Sequence, residues 1–141
     1  MNFFRLTDKL YISPQINRND AAEAAKLGIT TVICNRPDQE EPGQPAFSEA
    51  AAWFAEAGIT DIRHQPVIAP QITANDAKAF AEQLENSRGS VLAYCRTGTR
   101  CSLLWAINQV EQGRDATEII AKVKAATGLD LSNFAAKLQL P

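Results

Sequence analysis

The chain has 141 residues, 45% hydrophobic and 21% charged, which is the length of one domain with enough apolar material to close a core without a metal or disulfide staple. Its 14 Lys+Arg against 16 Asp+Glu leave a net charge of −2, a balance that excludes both a disordered chain and the broad basic face of a nucleic-acid binder. No apolar run approaches the ~18 residues that cross a bilayer, and three cysteines follow an N-terminus without an apolar signal-like region, so a cytoplasmic protein with reduced thiols and no membrane partner is expected.

In chain order, residues 10–13 read as a short strand ending at Pro14. Asn17 caps a helix over 21–27, with Asp20 in the place of a capping-box acid and Gly28 as the left-handed stop. Residues 30–34 are β-branched and continuous, as a strand covered on both faces requires. Residues 36–45 hold three prolines and Gly43 and read as an ordered loop, and 47–57, with Trp53 and Phe54 among alanines, read as a helix ended by Gly58. A third strand lies within 59–67 and a proline-containing loop within 66–73. Thr73 and Asp76 then open a helix that runs to Asn86. After Gly89 come a strand over 90–94, the segment 95–100 and a helix over 101–112 stopped by Gly113. Residues 115–127 and 130–138 read as two further amphipathic helices. Strands alternating with helices predict one α/β domain over 1–141, a mostly parallel four-stranded sheet flanked by helices on both sides. Ligands of such sheets bind at the carboxyl ends of strands, which points to the loops after Cys34 and Tyr94.

One segment carries chemistry. Tyr94-Cys95-Arg96-Thr97-Gly98-Thr99-Arg100-Cys101-Ser102 leaves an apolar strand and opens a helix. The free amides of such a loop, the positive end of the helix dipole and the two arginines all favour negative charge, so the Cys95 thiol is expected to ionise below the free value of about 8.5. Gly98 lets the backbone turn tightly and approach a ligand. The cradle of Arg96, Thr97, Gly98, Thr99 and Arg100 also suits an oxyanion, with Arg100 able to grip it by two parallel hydrogen bonds. Cys95 as nucleophile and Arg100 as anion-holder are the expected catalytic pair.

Three stretches, Leu10-Tyr-Ile-Ser13, Leu27-Gly-Ile-Thr-Thr-Val-Ile-Cys-Asn-Arg36 and Val91-Leu-Ala-Tyr-Cys-Arg-Thr-Gly-Thr-Arg100, resemble the dual-specificity branch of the protein tyrosine phosphatase superfamily. Within it the chain is similar to the bacterial beta-lactamase-hydrolase-like, phosphatase-like domains, which occur alone or fused to sulfur-metabolising enzymes. The resemblance covers residues 8–112 and implies a dual-specificity-phosphatase-like fold, Cys95 as nucleophile and Arg100 as the anion-binding arginine. Three features depart from the phosphatase pattern. Tyr94 stands where the pattern has His, four residues instead of five separate Cys95 from Arg100, and the loop 66–73 carries no carboxylate to protonate a leaving alkoxide. Asp76, just beyond, reads as a first-turn helix residue. The six residues Cys95–Arg100 instead resemble the active loop of rhodaneses, where the cysteine carries a sulfane sulfur.

The leading expectation is therefore a sulfurtransferase acting on a small anionic or persulfide substrate through a Cys95 persulfide, with an association to a sulfur-oxidising enzyme. A phosphatase working through a cysteinyl-phosphate is the alternative, and a catalytically idle anion-binding module the third reading. Neither cofactor nor metal is called for, because one histidine and scattered cysteines lack ligand spacing. Cys34 reads as core filler, with a resolving role toward oxidised Cys95 as the alternative that the resemblance implies. Cys101 reads as a packed helix residue, with sulfur relay as its alternative. Arg36 is assigned either to anion steering or to a solvated surface, and His64 to a surface or strand edge.

Overall fold

In the computed structural model, which describes residues 3–134 and 136–138, five strands form one sheet. They are β1 (Phe4–Arg5), β2 (Leu10–Ser13), β3 (Ile29–Cys34), β4 (Asp61–His64) and β5 (Ser90–Tyr94), in the spatial order β1-β2-β5-β3-β4. The four expected strands are the parallel ones, with β5 between β2 and β3 and β4 on the outer side of β3. The expected count of four misses β1, which pairs antiparallel with β2 and makes the sheet mixed. A two-residue strand is too short to show an alternating pattern, so the omission has a simple cause.

The helices are α1 (Arg18–Lys26), α2 (Phe47–Glu56), α3 (Ala74–Asn86), α4 (Thr99–Glu111) and α5 (Ala116–Thr127). Their starts follow local chemistry. Asn17 and Asp20 form the capping box of α1, Thr73 and Asp76 that of α3, and Asp115 caps α5 by accepting from the Glu118 N–H. For α2 the cap comes from nine residues away, since the adjacent Ala46 offers no side-chain oxygen and Asp38 Oδ1 accepts from the Phe47 N–H at 2.8 Å. The helix expected over 130–138 is instead a 3-10 turn over Leu131–Phe134, and Ala135 lies outside the described residues.

The sheet divides the core in two. Leu10, Ile12, Ile33, Val91 and Ala93 pack with Phe80 of α3, Leu103 and Leu104 of α4 and Val123 of α5. Val32, Leu92 and Tyr94 pack on the other side with Ala21 and Ala24 of α1 and Ala50 and Phe54 of α2. The alternation along β5 sends successive side chains to opposite faces, so every residue of this strand is buried on one side or the other from Val91 onward. Both faces covered by helices is the arrangement that the continuous apolar strands require.

Candidate active site

Because β3 and β5 are paired with Cys34 opposite Tyr94, the loops that follow them open at the same edge of the sheet. The second loop is short and pinned. The Cys95 N–H donates to the Ser13 carbonyl at 3.3 Å, and the Gln15 N–H donates to the Arg96 carbonyl at 3.2 Å, so the exit of β2 holds the loop's near end. At its far end Gly98 takes φ +93° and serves as the N-cap of α4. A Cβ there would stand 2.9 Å from Ile12 Cγ2, so both conformation and space demand glycine.

Cys95 sits at the bottom, 1% exposed, and the Gly98 N–H donates to its Sγ at 3.1 Å. Its thiol is pushed down to about 5. The largest cause is a hydrogen bond from the Cys101 thiol, followed, against the opposing effect of burial, by the backbone N–H groups of Cys101, Arg100 and Thr97. Cys101 in turn is pushed well above its ordinary value by burial and by its proximity to Cys95, so it remains the protonated donor of the pair. Amides, helix and arginines are legible in the sequence as causes of ionisation, but the thiol donor is not, because nothing in a linear string says that residue 101 turns back toward residue 95. The first turn of α4 does so, and both sulfurs belong to the core on the same face of the sheet.

Arg100 is mostly covered, with 13% of its side chain exposed, whereas Arg96 is 64% exposed. The Arg100 guanidinium donates from Nη1 to Glu40 Oε2 and from Nη2 to Glu40 Oε1, both at 2.8 Å, and from Nη1 to the Val67 carbonyl at 3.0 Å. Thr97 and Thr99 hydrogen-bond to one another through their hydroxyls at 2.9 Å, and the Thr99 N–H donates to the Thr97 hydroxyl. Together with Arg36, Glu40 and Glu41, the two loop arginines line a cavity of about 400 Å³.

Arg36 does not match the steering role proposed for it. Its side chain is 1% exposed, and its guanidinium donates to Glu40 Oε1, Glu41 Oε1 and Gln15 Oε1 at 2.8–2.9 Å. A cation so covered by two carboxylates offers little field to an approaching anion, and Arg96 is the arginine placed at the surface. The ion pairs hold Glu40 and Glu41 below the usual carboxylate range, Arg100 being the first cause for Glu40 and Arg36 for Glu41. Sequence reasoning placed Glu40 on this loop without giving it a part in the site.

Cys34 is packed as a core residue. It is buried among the α1/α2-side residues with Val32 and Tyr94, whereas Cys95 belongs to the opposite cluster. Its thiol contacts the Arg36 carbonyl at 3.4 Å, and burial pushes it up. His64 is on the outer strand β4, stacked on Phe47 at 4.4 Å between ring centroids. Its Nε2 lies 2.9 Å from the Arg36 carbonyl, and since a carbonyl only accepts, this nitrogen carries the proton. The Asp76 carboxylate accepts from the Thr73 N–H at 2.9 Å, a cap bond at the start of α3. Among the described residues no group of three or more His, Cys, Asp or Glu is placed to hold a metal ion, and no helix is long and apolar enough to cross a membrane.

Solved structures share this fold. A candidate phosphatase of Neisseria meningitidis superposes with a TM-score of 0.93 and is 46% identical, covering 98% of this chain and 96% of its own. The TpbA protein of P. aeruginosa, solved in complex with phosphotyrosine, superposes at 0.74 over 99% of this chain and 82% of its own, with 21% identity, a likeness of fold alone. The fold and these likenesses thus define a domain of the phosphatase-like, cysteine-nucleophile class. More narrowly, the chain belongs to the family of the beta-lactamase hydrolase-like protein, phosphatase-like domain, whose pattern matches residues 2–112. Beta-lactamase hydrolase-like proteins of Xylella fastidiosa and Agrobacterium fabrum are 34% and 32% identical over 131 residues, 93% of this chain. The chain spans about 30% of the length of those relatives.

Proposed function

We propose that this domain is a phosphohydrolase that works through a cysteinyl-phosphate on Cys95. The observation that carries the reading is a buried sulfur that accepts the Gly98 N–H at 3.1 Å, in the same loop as an arginine able to grip an oxyanion, and the Cys101 thiol and the amides around it push its thiol down to about 5. The likeness to a structure described as a phosphatase, and to the fold of another solved with phosphotyrosine, ranks phosphate transfer above sulfur transfer. In the first step the Cys95 sulfur bonds to phosphorus and the phosphorus–oxygen bond to the alcohol breaks, the electron pair leaving with oxygen. In the second, water attacks phosphorus, phosphate leaves with the water's oxygen, and the thiolate is restored. The loop after β4 bears no carboxylate, and Asp76 is engaged in capping α3, so the leaving group departs without a positioned acid. That favours aryl esters, whose phenolates are stable anions, over alkyl esters.

Two of the same observations favour sulfur transfer as the second reading. The loop is one residue shorter than the phosphatase pattern, and sulfite leaves thiosulfate unprotonated, so the missing acid is no handicap. There the Cys95 thiolate bonds to the outer sulfur of thiosulfate, sulfite departs with the electron pair of the broken sulfur–sulfur bond, and a thiol or cyanide later takes the sulfur from Cys95. An association with a sulfur-oxidising enzyme belongs to this reading.

Turnover of p-nitrophenyl phosphate, abolished in Cys95→Ser, is the expected result. A protein that leaves this ester intact but gains the mass of one sulfur atom on Cys95 after thiosulfate treatment reverses the order. Retention of sulfate with neither activity would mark an idle anion-binding module.

A further inference from the structure

The charged groups around the cavity form a chain, not a loose cluster. Gln15 and Glu41 hold Arg36, Arg36 Nε holds Glu40 Oε1 at 2.9 Å, and both oxygens of Glu40 hold Arg100. Arg36 is buried and anchored at three points, so Glu40 is a rigidly placed carboxylate between two guanidinium groups.

A guanidinium has five N–H donors in one plane. At Arg100, Glu40 and the Val67 carbonyl together accept both protons of Nη1 and one of Nη2. Among the described residues the remaining two, on Nε and Nη2, carry no partner. They share the opposite edge of the plane and form a two-pronged fork of the geometry that an oxyanion accepts. A planar group gripped along one edge has a single orientation left for the other. Glu40 itself is a poor proton donor or acceptor, because both neighbouring guanidiniums hold it ionised, so its part is geometric.

We propose that Glu40 is the positioning residue of the anion site: by occupying the Nη1–Nη2 edge of Arg100, it presents the Nε–Nη2 edge to the substrate's oxyanion. This rests on the reading of Arg100 as the anion-binding arginine. Held in place beforehand, the fork binds a tetrahedral oxyanion without first losing side-chain freedom. Its ligands are accordingly phosphate, sulfate or sulfonate groups that can accept two parallel hydrogen bonds.

The sign of one measurement tests it. Removing a negative charge beside an anion site strengthens anion binding on electrostatic grounds alone, and a carboxylate that merely blocked Arg100 would give the same result when removed. Loss of positioning weakens binding instead. Calorimetric titration with inorganic sulfate is therefore expected to show about tenfold weaker binding in Glu40→Gln, which keeps an acceptor for Arg36 but forms only one of the two bonds to Arg100. Glu40→Asp, which keeps the charge on a shorter arm, is expected to fall between. Glu41→Gln removes an equal charge without touching Arg100 and is expected to bind sulfate at least as tightly as the parent. An unchanged rate of Cys95 alkylation in each variant shows that the loop is intact. Equal or tighter sulfate binding by Glu40→Gln overturns the proposal while leaving the anion site standing. Full sulfate affinity in Arg100→Lys would overturn the assignment of Arg100 as well.

Discussion

At the scale of single residues the site is governed by a proton shared unequally between two sulfurs. Cys95 and Cys101 are both buried, yet one is pushed down to about 5 and the other well above its ordinary value. Burial alone would raise both. The asymmetry arises because the Gly98 N–H and neighbouring amides point at one sulfur, so the first charge settles there and the second thiol serves as its donor. Alkylation of Cys95 should therefore proceed as thiolate chemistry at neutral pH and slow as the pH falls through about 5, where the sulfur gains its proton. Cys101→Ala removes the leading donor and should move that midpoint upward by about one unit or more, equivalent to ~1.4 kcal/mol per unit, while Cys101→Ser keeps a donor and holds the midpoint low. A midpoint that stays near 5 in Cys101→Ala would return the whole effect to the backbone amides.

At the scale of elements, caps and turns that a few adjacent residues determine were legible, and those that depend on distant partners were not. Asn17 with Asp20 and Thr73 with Asp76 form their boxes as the spacing says, because donor and acceptor are three residues apart in a helix start whatever surrounds it. The start of α2 was placed correctly without its cap being found, since Asp38 reaches the Phe47 amide only through the path of the proline-rich loop. The same logic gives Asp76 a structural part. Asp76→Asn should cost ~1 kcal/mol of stability through the weakened cap and leave the ratio of aryl-to-alkyl phosphate ester turnover unchanged. A drop in kcat confined to the alkyl esters would instead reveal Asp76 as the leaving-group acid. The short strand β1 and the 3-10 turn over Leu131–Phe134 escaped sequence reading because neither is long enough to establish a period.

At the scale of the whole molecule, a single sheet separates two cores, and the chemistry is set by which of them each side chain joins. Ile33 lies on the α3/α4 side and Ile59 on the α1/α2 side. Ile33→Val and Ile59→Val should each cost ~0.5–1.5 kcal/mol in urea unfolding, and their effects should add to within ~0.5 kcal/mol. A larger coupling would show that strain passes through the sheet. The same division puts Cys34, at the end of β3, in one core and Cys95, just past the end of β5, in the other.

The order of the four parallel strands and the long helices and the strand–loop–helix around Cys95 were determined by the amino-acid sequence alone, because each rests on interactions among near neighbours along the chain, whereas the contact with Ile12 that leaves no room for a side chain at position 98 comes from the fold. The pairing of Glu40 with Arg100 across sixty residues, the withdrawal of Arg36 into an ion-pair chain, the Cys101 donor and the face on which Cys34 sits were decided only by the tertiary structure. Periodicity and caps report the local path of the backbone, while the direction of a side chain toward a distant partner exists only once the sheet has brought the carboxyl ends of its strands together.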